Sequence, residues 1–139
     1  MWKRTHSVVT KEISKEQIWK LFSDVNHWNT WDEGIEYTEM NGDFVKGTTF
    51  ILKPKGGPKV KVELLETIEN RKFVDVTHFP LAKMYDEHEF EETADGLKIT
   101  NTISVKGILS FFWIKVVAQN IADAMPGDVK NQIKSAAKL

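Results

Sequence analysis

Ile13-Ser14-Lys15-Glu16-Gln17-Ile18-Trp19-Lys20-Leu21-Phe22-Ser23-Asp24 is the stretch from which the fold can be read outward. Ser14 with Gln17 three residues on fits a capping box, in which a hydroxyl and an amide side chain each satisfy an orphan backbone donor. Ile13 and Ile18 stand at the positions of a hydrophobic staple across the same turn. Ile18, Leu21, Phe22 and Val25 then follow at helical spacing, with Trp19 on the flank. The pattern predicts a helix that begins at Ser14. A short turn from Asn26 to Asp32, carrying Trp28 and Trp31, leads out of it.

Downstream the period changes from helical to alternating. Turn signals recur at short intervals: Asn41-Gly42-Asp43, Lys55-Gly56-Gly57-Pro58, Glu69-Asn70-Arg71, Pro80-Leu81 and Ala94-Asp95-Gly96. Between them lie runs rich in β-branched and aromatic residues, at 35–40, 48–53, 60–68, 73–78, 84–91 and 97–106. Asp95-Gly96 reads as a type I′ hairpin, because that pair tolerates positive φ. Six strands in a meander result, with a seventh upstream of the helix at 2–12.

The chain closes on a second helical segment, from about Ser110 to Lys138. Ile114, Val117, Ile121, Met125, Val129, Ile133 and Ala136 are spaced 3, 4, 4, 4, 4 and 3 apart, close to the helical period. Its first half is apolar nearly all round, through Phe111, Phe112, Trp113, Ile114, Val116 and Val117. Beyond Pro126 it becomes amphipathic, and Pro126-Gly127 is expected to kink or interrupt it. Such a helix must lie across something apolar.

Composition narrows the function classes. The 139 residues carry 19 Lys+Arg against 20 Asp+Glu, a net charge of −1. That balance argues against a phosphate-backbone binder, so no nucleic-acid partner is expected. With 41% hydrophobic and 28% charged residues the chain reads as one soluble globular domain. Cysteine is absent, which excludes disulfides, thiolate catalysis and iron–sulfur clusters. No apolar signal segment follows Met1, and the run Ile108–Met125 is broken by Lys115, Gln119, Asn120 and Asp123. The expectation is a cytoplasmic protein with no integral membrane segment.

The order strand, helix, short turn, six antiparallel strands, long helix resembles the START-like superfamily, also called SRPBCC, Bet v 1-like or helix-grip. Within it the chain resembles the polyketide cyclase/dehydratase-like branch. Ile13 to Asp24 carries the resemblance, followed by Trp28, Trp31 and Asp32, with Gly47-Thr48-Thr49-Phe50 and Gly96-Leu97-Lys98-Ile99-Thr100 supporting it. Ser14 and Lys15 depart from the proline many relatives have there. The resemblance implies an α+β helix-grip fold, a curved seven-stranded antiparallel sheet in the order β-α-α-β6-α, wrapped around the long C-terminal helix as one domain over residues 1–139. It also implies an apolar cavity between sheet and helix, and Trp31 as a core residue sealing the sheet. The family has no universal catalytic motif to carry over.

Alternation identifies the side chains that face the helix. On the third and fourth strands these are Phe50, Leu52, Val60, Val62 and Leu64, and on the last Ile99, Ile103 and Val105. Phe112, Trp113, Val117 and Ile121 are expected to close the cavity from the helix side. Met84, Asp86, His88 and Phe90 share one face of the sixth strand, and Asn101 interrupts the inward set of the seventh. Asp86, His88 and Asn101 therefore converge on one wall, either as a satisfied interior cluster, as ligand-orienting groups, or as a site in which Asp86 tunes His88 for proton transfer. Asp75, Thr77 and His78 form a weaker version, since the parity of the fifth strand is open. Trp28 stands as either a lid or a surface anchor.

His6, His27, His78 and His88 fall into no metal-ligand spacing, and no glycine-rich phosphate cradle or nucleophile elbow occurs. Neither a metal nor a cofactor is expected. Lys53, Lys55, Lys59 and Lys61 around Gly56-Gly57 read as a solvated hairpin tip that guards the strand ends. The function expected is binding of a hydrophobic small molecule, aromatic, polyketide-like, isoprenoid or lipidic, by a monomer or weak dimer. Two rivals stand beside it. One is a cofactor-free cyclase, dehydratase or hydrolase with His88 as acid/base. The other is a module that binds a partner protein through an exposed apolar patch.

Overall fold

The computed structural model describes residues 1–139. Seven strands form one antiparallel sheet: β1 (Trp2–Thr10), β2 (Ile35–Met40), β3 (Thr49–Pro54), β4 (Val60–Ile68), β5 (Lys72–Phe79), β6 (Ala82–Thr93) and β7 (Gly96–Lys106). Their order across the sheet is β1-β7-β6-β5-β4-β3-β2. The six-strand meander closes on the first strand, as the helix-grip arrangement requires. Helix α1 (Lys15–Ser23) and a 3-10 turn (Val25–Thr30) connect β1 to β2. The last helix runs from α2 (Ser110–Trp113) through a π segment (Ile114–Ala118) into α3 (Gln119–Ala136).

Local chemistry explains the element ends. Ser14 Oγ accepts from Gln17 N at 3.2 Å, and Ser14 N donates to Gln17 Oε1 at 2.8 Å, which completes the capping box. The β6–β7 turn departs from the type I′ expectation. Thr93 pairs with Gly96, so Ala94 and Asp95 form the loop, and only Gly96 takes a positive φ, at 132°. A Cβ there would sit 2.5 Å from the Thr10 carbonyl oxygen, so close backbone approach as well as conformation demands glycine.

The long helix corrects one expectation. Pro126 neither ends nor interrupts α3, which continues from Gln119 to Ala136. Met125 and Val129 are buried on either side of it while Pro126 itself is exposed, so packing holds the helix where one backbone bond is missing. The irregularity lies upstream, where Gln119 N donates to Ile114 O and opens one wide turn.

Two apolar clusters line the interior. The larger one gathers Trp19, Phe22, Trp28 and Trp31 from α1 and its following turn against Phe50, Val62, Leu64, Phe73, Phe90 and Ile99 of the sheet. The smaller one contains Met84, Ile103, Val105, Ala118, Ala122 and Met125. Trp28 is neither a lid nor a surface anchor. Its ring is buried, and Nε1 donates to the Phe22 carbonyl at 2.8 Å.

Candidate functional site

Register decides which side chains meet on the inner face of the sheet, because residues directly opposite one another share a face. His6, Asn101, His88 and Phe73 form one row across β1, β7, β6 and β5. The next row runs through Ile103, Asp86, Asp75 and Leu64. These rows place a polar layer, Asp75, Asp86, His88 and Asn101, at the boundary between the two apolar clusters. The parity left open for β5 is thereby resolved: Asp75 and Thr77 are buried and face inward, while His78 is exposed and lies 3.4 Å from Glu63.

The layer is held firmly on one side. The His88 ring stacks on Phe73 with centroids 4.4 Å apart and contacts Phe22 at 4.8 Å. Its Nε2 lies 3.3 Å from Asp86 Oδ1. That contact does not meet hydrogen-bond geometry, and Asp86 Oδ1 remains buried without a hydrogen-bond partner, as do Asn101 Oδ1 and His6 Nδ1. Leaving such groups unpaired costs about 1–3 kcal/mol each.

Carboxylates dominate the electrostatics. Burial, and secondarily the Asp86 charge, push the Asp75 carboxyl well above its usual range. Asp128 of α3 is pushed up to about 6, first by burial, then by Asp32, Glu33 and Asp86. Asp32, just past the 3-10 turn, is raised by burial too, against a hydrogen bond from Gly34 N that lowers it. Four carboxyls from three separate regions therefore share one negative neighbourhood.

The apolar residues expected around a cavity divide into three groups. Phe50, Val62, Leu64 and Phe90 are no more than 3% exposed and belong to the larger cluster, because the aromatic rings from α1 and its turn fill that half of the bowl. Met84 and Ile103 belong to the smaller cluster, with Val117 and Ile121 half-buried against it, and Leu52 is half-buried beside the larger one. Phe112 does not close the interior. It is 45% exposed, and Trp113 instead stacks on Phe79 at 4.3 Å and donates to the Pro80 carbonyl. The first turn of the helix lies over the β5–β6 hairpin, beyond the inner face.

Two surface concavities accompany these features. One of about 220 Å³ is lined by Trp31, Glu33, Asn131 and Lys134 among others, and one of about 380 Å³ by Phe79, Leu81, Lys83, Lys106 and Ile108 among others. The second adjoins exposed apolar side chains, Leu81, Ile108, Phe111, Phe112 and Val116. No Asp or Glu occurs in residues 1–10, 76–85 or 103–122, which hold Lys3, Arg4, Lys83, Lys106 and Lys115.

Sequence reasoning reached Asp86, His88 and Asn101 by strand parity. It placed Asp75 only as a weaker candidate and missed Asp32 and Asp128, which arrive from a turn and from the helix.

A family model described as polyketide cyclase/dehydrase and lipid transport matches residues 1–138. No curated protein matches the sequence. Among solved structures, the chain is similar to Ara h 8.0201, at 14% identity and a TM-score of 0.74, with 99% of this chain and 100% of that one covered. It is similar to the di-domain ARO/CYC StfQ from the steffimycin biosynthetic pathway, at 11% identity and a TM-score of 0.78, covering 98% of this chain and 50% of that one. A START superfamily protein from Mycobacterium smegmatis aligns at 13% identity and a TM-score of 0.68, over 95% of this chain and 97% of that one. At these identities the likeness is one of fold. No helix is long and apolar enough to cross a membrane.

Proposed function

The chain belongs to the polyketide cyclase/dehydrase and lipid transport family, and from that premise we propose that it binds an apolar small molecule between the curved sheet and the C-terminal helix. The observation that carries this reading is the polar layer at the edge of an otherwise apolar interior. Asp86 Oδ1 and Asn101 Oδ1 are buried without partners, and a ligand's polar group would satisfy them. The apolar body would lie against the smaller cluster, where Val117 and Ile121 are only half-buried and Met84 and Ile103 form the floor. Burial there is worth about 25 cal/mol per Å² of apolar surface, and the polar layer selects orientation.

Native mass spectrometry of the gently purified protein, with extraction of anything bound, tests the reading. A stoichiometric apolar adduct is the expected result and identifies the chemical class. A clean apo mass, with no apolar compound in a broad panel altering tryptophan emission, overturns it.

A second reading has one specific observation behind it. Asp75 is driven toward its protonated form beside Asp86 and His88, an arrangement suited to proton donation in a cyclisation or dehydration. On that reading His88→Ala abolishes turnover of the identified ligand while the protein stays folded.

A further inference from the structure

We propose that Asp75, Asp86 and His88, completed by the side-chain oxygen of Asn101, form a binding site for a divalent first-row transition-metal ion. One ligand atom from each of the first three residues lies within 4.8 Å of the others. An ion with bonds of about 2.1–2.4 Å spans atoms up to about twice that distance apart, so small side-chain adjustments close the site. No sequence motif announces it, since the donors come from adjacent strands: Asp75 pairs with Asp86 across β5 and β6, and His88 with Asn101 across β6 and β7.

An independent observation points to a ligand here. Asn101 is only 7% exposed, faces the cluster from the position opposite His88, and its Oδ1 has no partner. Asp86 Oδ1 is orphaned in the same way. Two carboxylates neutralise a divalent charge, while the imidazole and amide add donors without adding charge. Net neutrality matters at Asp75, which is itself only 7% exposed. Asp32 and Asp128 add negative potential nearby. The mixed oxygen and nitrogen donor set favours zinc, manganese, iron, cobalt or nickel over magnesium and calcium. Phe73 and Phe22 fix the His88 ring as an outer shell. Asp86, with 24% of its side chain exposed, provides the route from solvent. The ion would occupy the Asp86 and Asn101 oxygens that the apolar-ligand reading leaves to a ligand's polar group, so the two readings draw on the same orphaned atoms and are separated by experiment.

The test is titration of chelator-treated full-length protein with cobalt(II), followed by visible absorption and calorimetry, and then zinc competition. The expected result is one ion per chain, with zinc displacing cobalt. Asp86→Asn is expected to weaken binding at least tenfold, and Asp123→Asn, at an exposed acid on the same helix as Asp128, to leave it unchanged. Asp86 makes no hydrogen bond that folding requires, so this variant decides the matter even where His88→Gln fails to fold. Folded wild-type protein that binds no cobalt overturns the proposal. Binding that survives Asp86→Asn overturns it as well. Neither outcome bears on whether an apolar adduct is present.

Discussion

Asp128 links one carboxyl to the stability of the whole chain. Its folded pKa of about 6, against an ordinary value of 3.8, means that the folded state holds this proton more tightly than the unfolded state. Its contribution is therefore most favourable at low pH, declines as pH rises toward about 6, and levels off above that. Asp128→Asn removes the penalty, so its gain in urea midpoint over the wild type should be larger at about pH 7.5 than at about pH 4.5. Equal gains at both would show that neither burial nor the neighbouring Asp32, Glu33 and Asp86 holds its pKa up. The same cluster shows what strand parity can and cannot reveal. Asp86, His88 and Asn101 were legible because Met84, Phe90, Ile99 and Ile103 mark their faces. Asp75 was obscured because Val74 and Val76 are as apolar as Phe73, leaving neither face of β5 distinctive. Asp32 and Asp128 join through tertiary packing between residues 96 positions apart in the chain, and no local pattern records that.

Elements were legible where their determinants are local. Ser14 and Gln17 define the start of α1 within four residues, and the meander appeared because each turn has its own glycine, asparagine or proline. Pro126 misled because the favourable packing of Met125 and Val129 is a tertiary effect that outweighs a local one. The β5–β6 hairpin carries a local conflict of its own. Leu81 adopts φ = 58° in the two-residue loop between Phe79 and Ala82, a region that costs a branched side chain about 1–2 kcal/mol. Its backbone position is held because its carbonyl accepts from Leu109 N at 3.0 Å, and Gly107 packs against it. Leu81 is 63% exposed, so little burial is lost on replacing it. Leu81→Asn should therefore stabilise the protein by about 0.5–1 kcal/mol, read as a higher urea midpoint at unchanged slope. A lower midpoint would mean that the leucine side chain makes a contact worth more than the strain.

At the scale of the molecule, the interior is two apolar compartments with a polar layer between them, and the exterior is just as unevenly divided. The start of β1, the end of β7, the β5–β6 hairpin and the first turns of the last helix meet at one end: Trp2 pairs with Val105, Lys83 pairs with Lys106, and Trp113 lies on the hairpin. That end collects the stretches without carboxylates, yet the chain as a whole carries −1. Net charge is then a poor guide to behaviour, because the separation of charge gives the protein a dipole. A negatively charged matrix feels the near end, within a Debye length of about 8–10 Å, more strongly than the average. At about pH 7.5 and about 0.1 M salt, this formally anionic protein should be retained on a cation exchanger, and Lys83→Glu with Lys106→Glu should abolish that retention without altering the fold. Flow-through of the wild type would show that the positive end is too dilute to act. Retention would mean that the molecule approaches any anionic surface in one orientation, with Phe111, Phe112 and Ile108 leading.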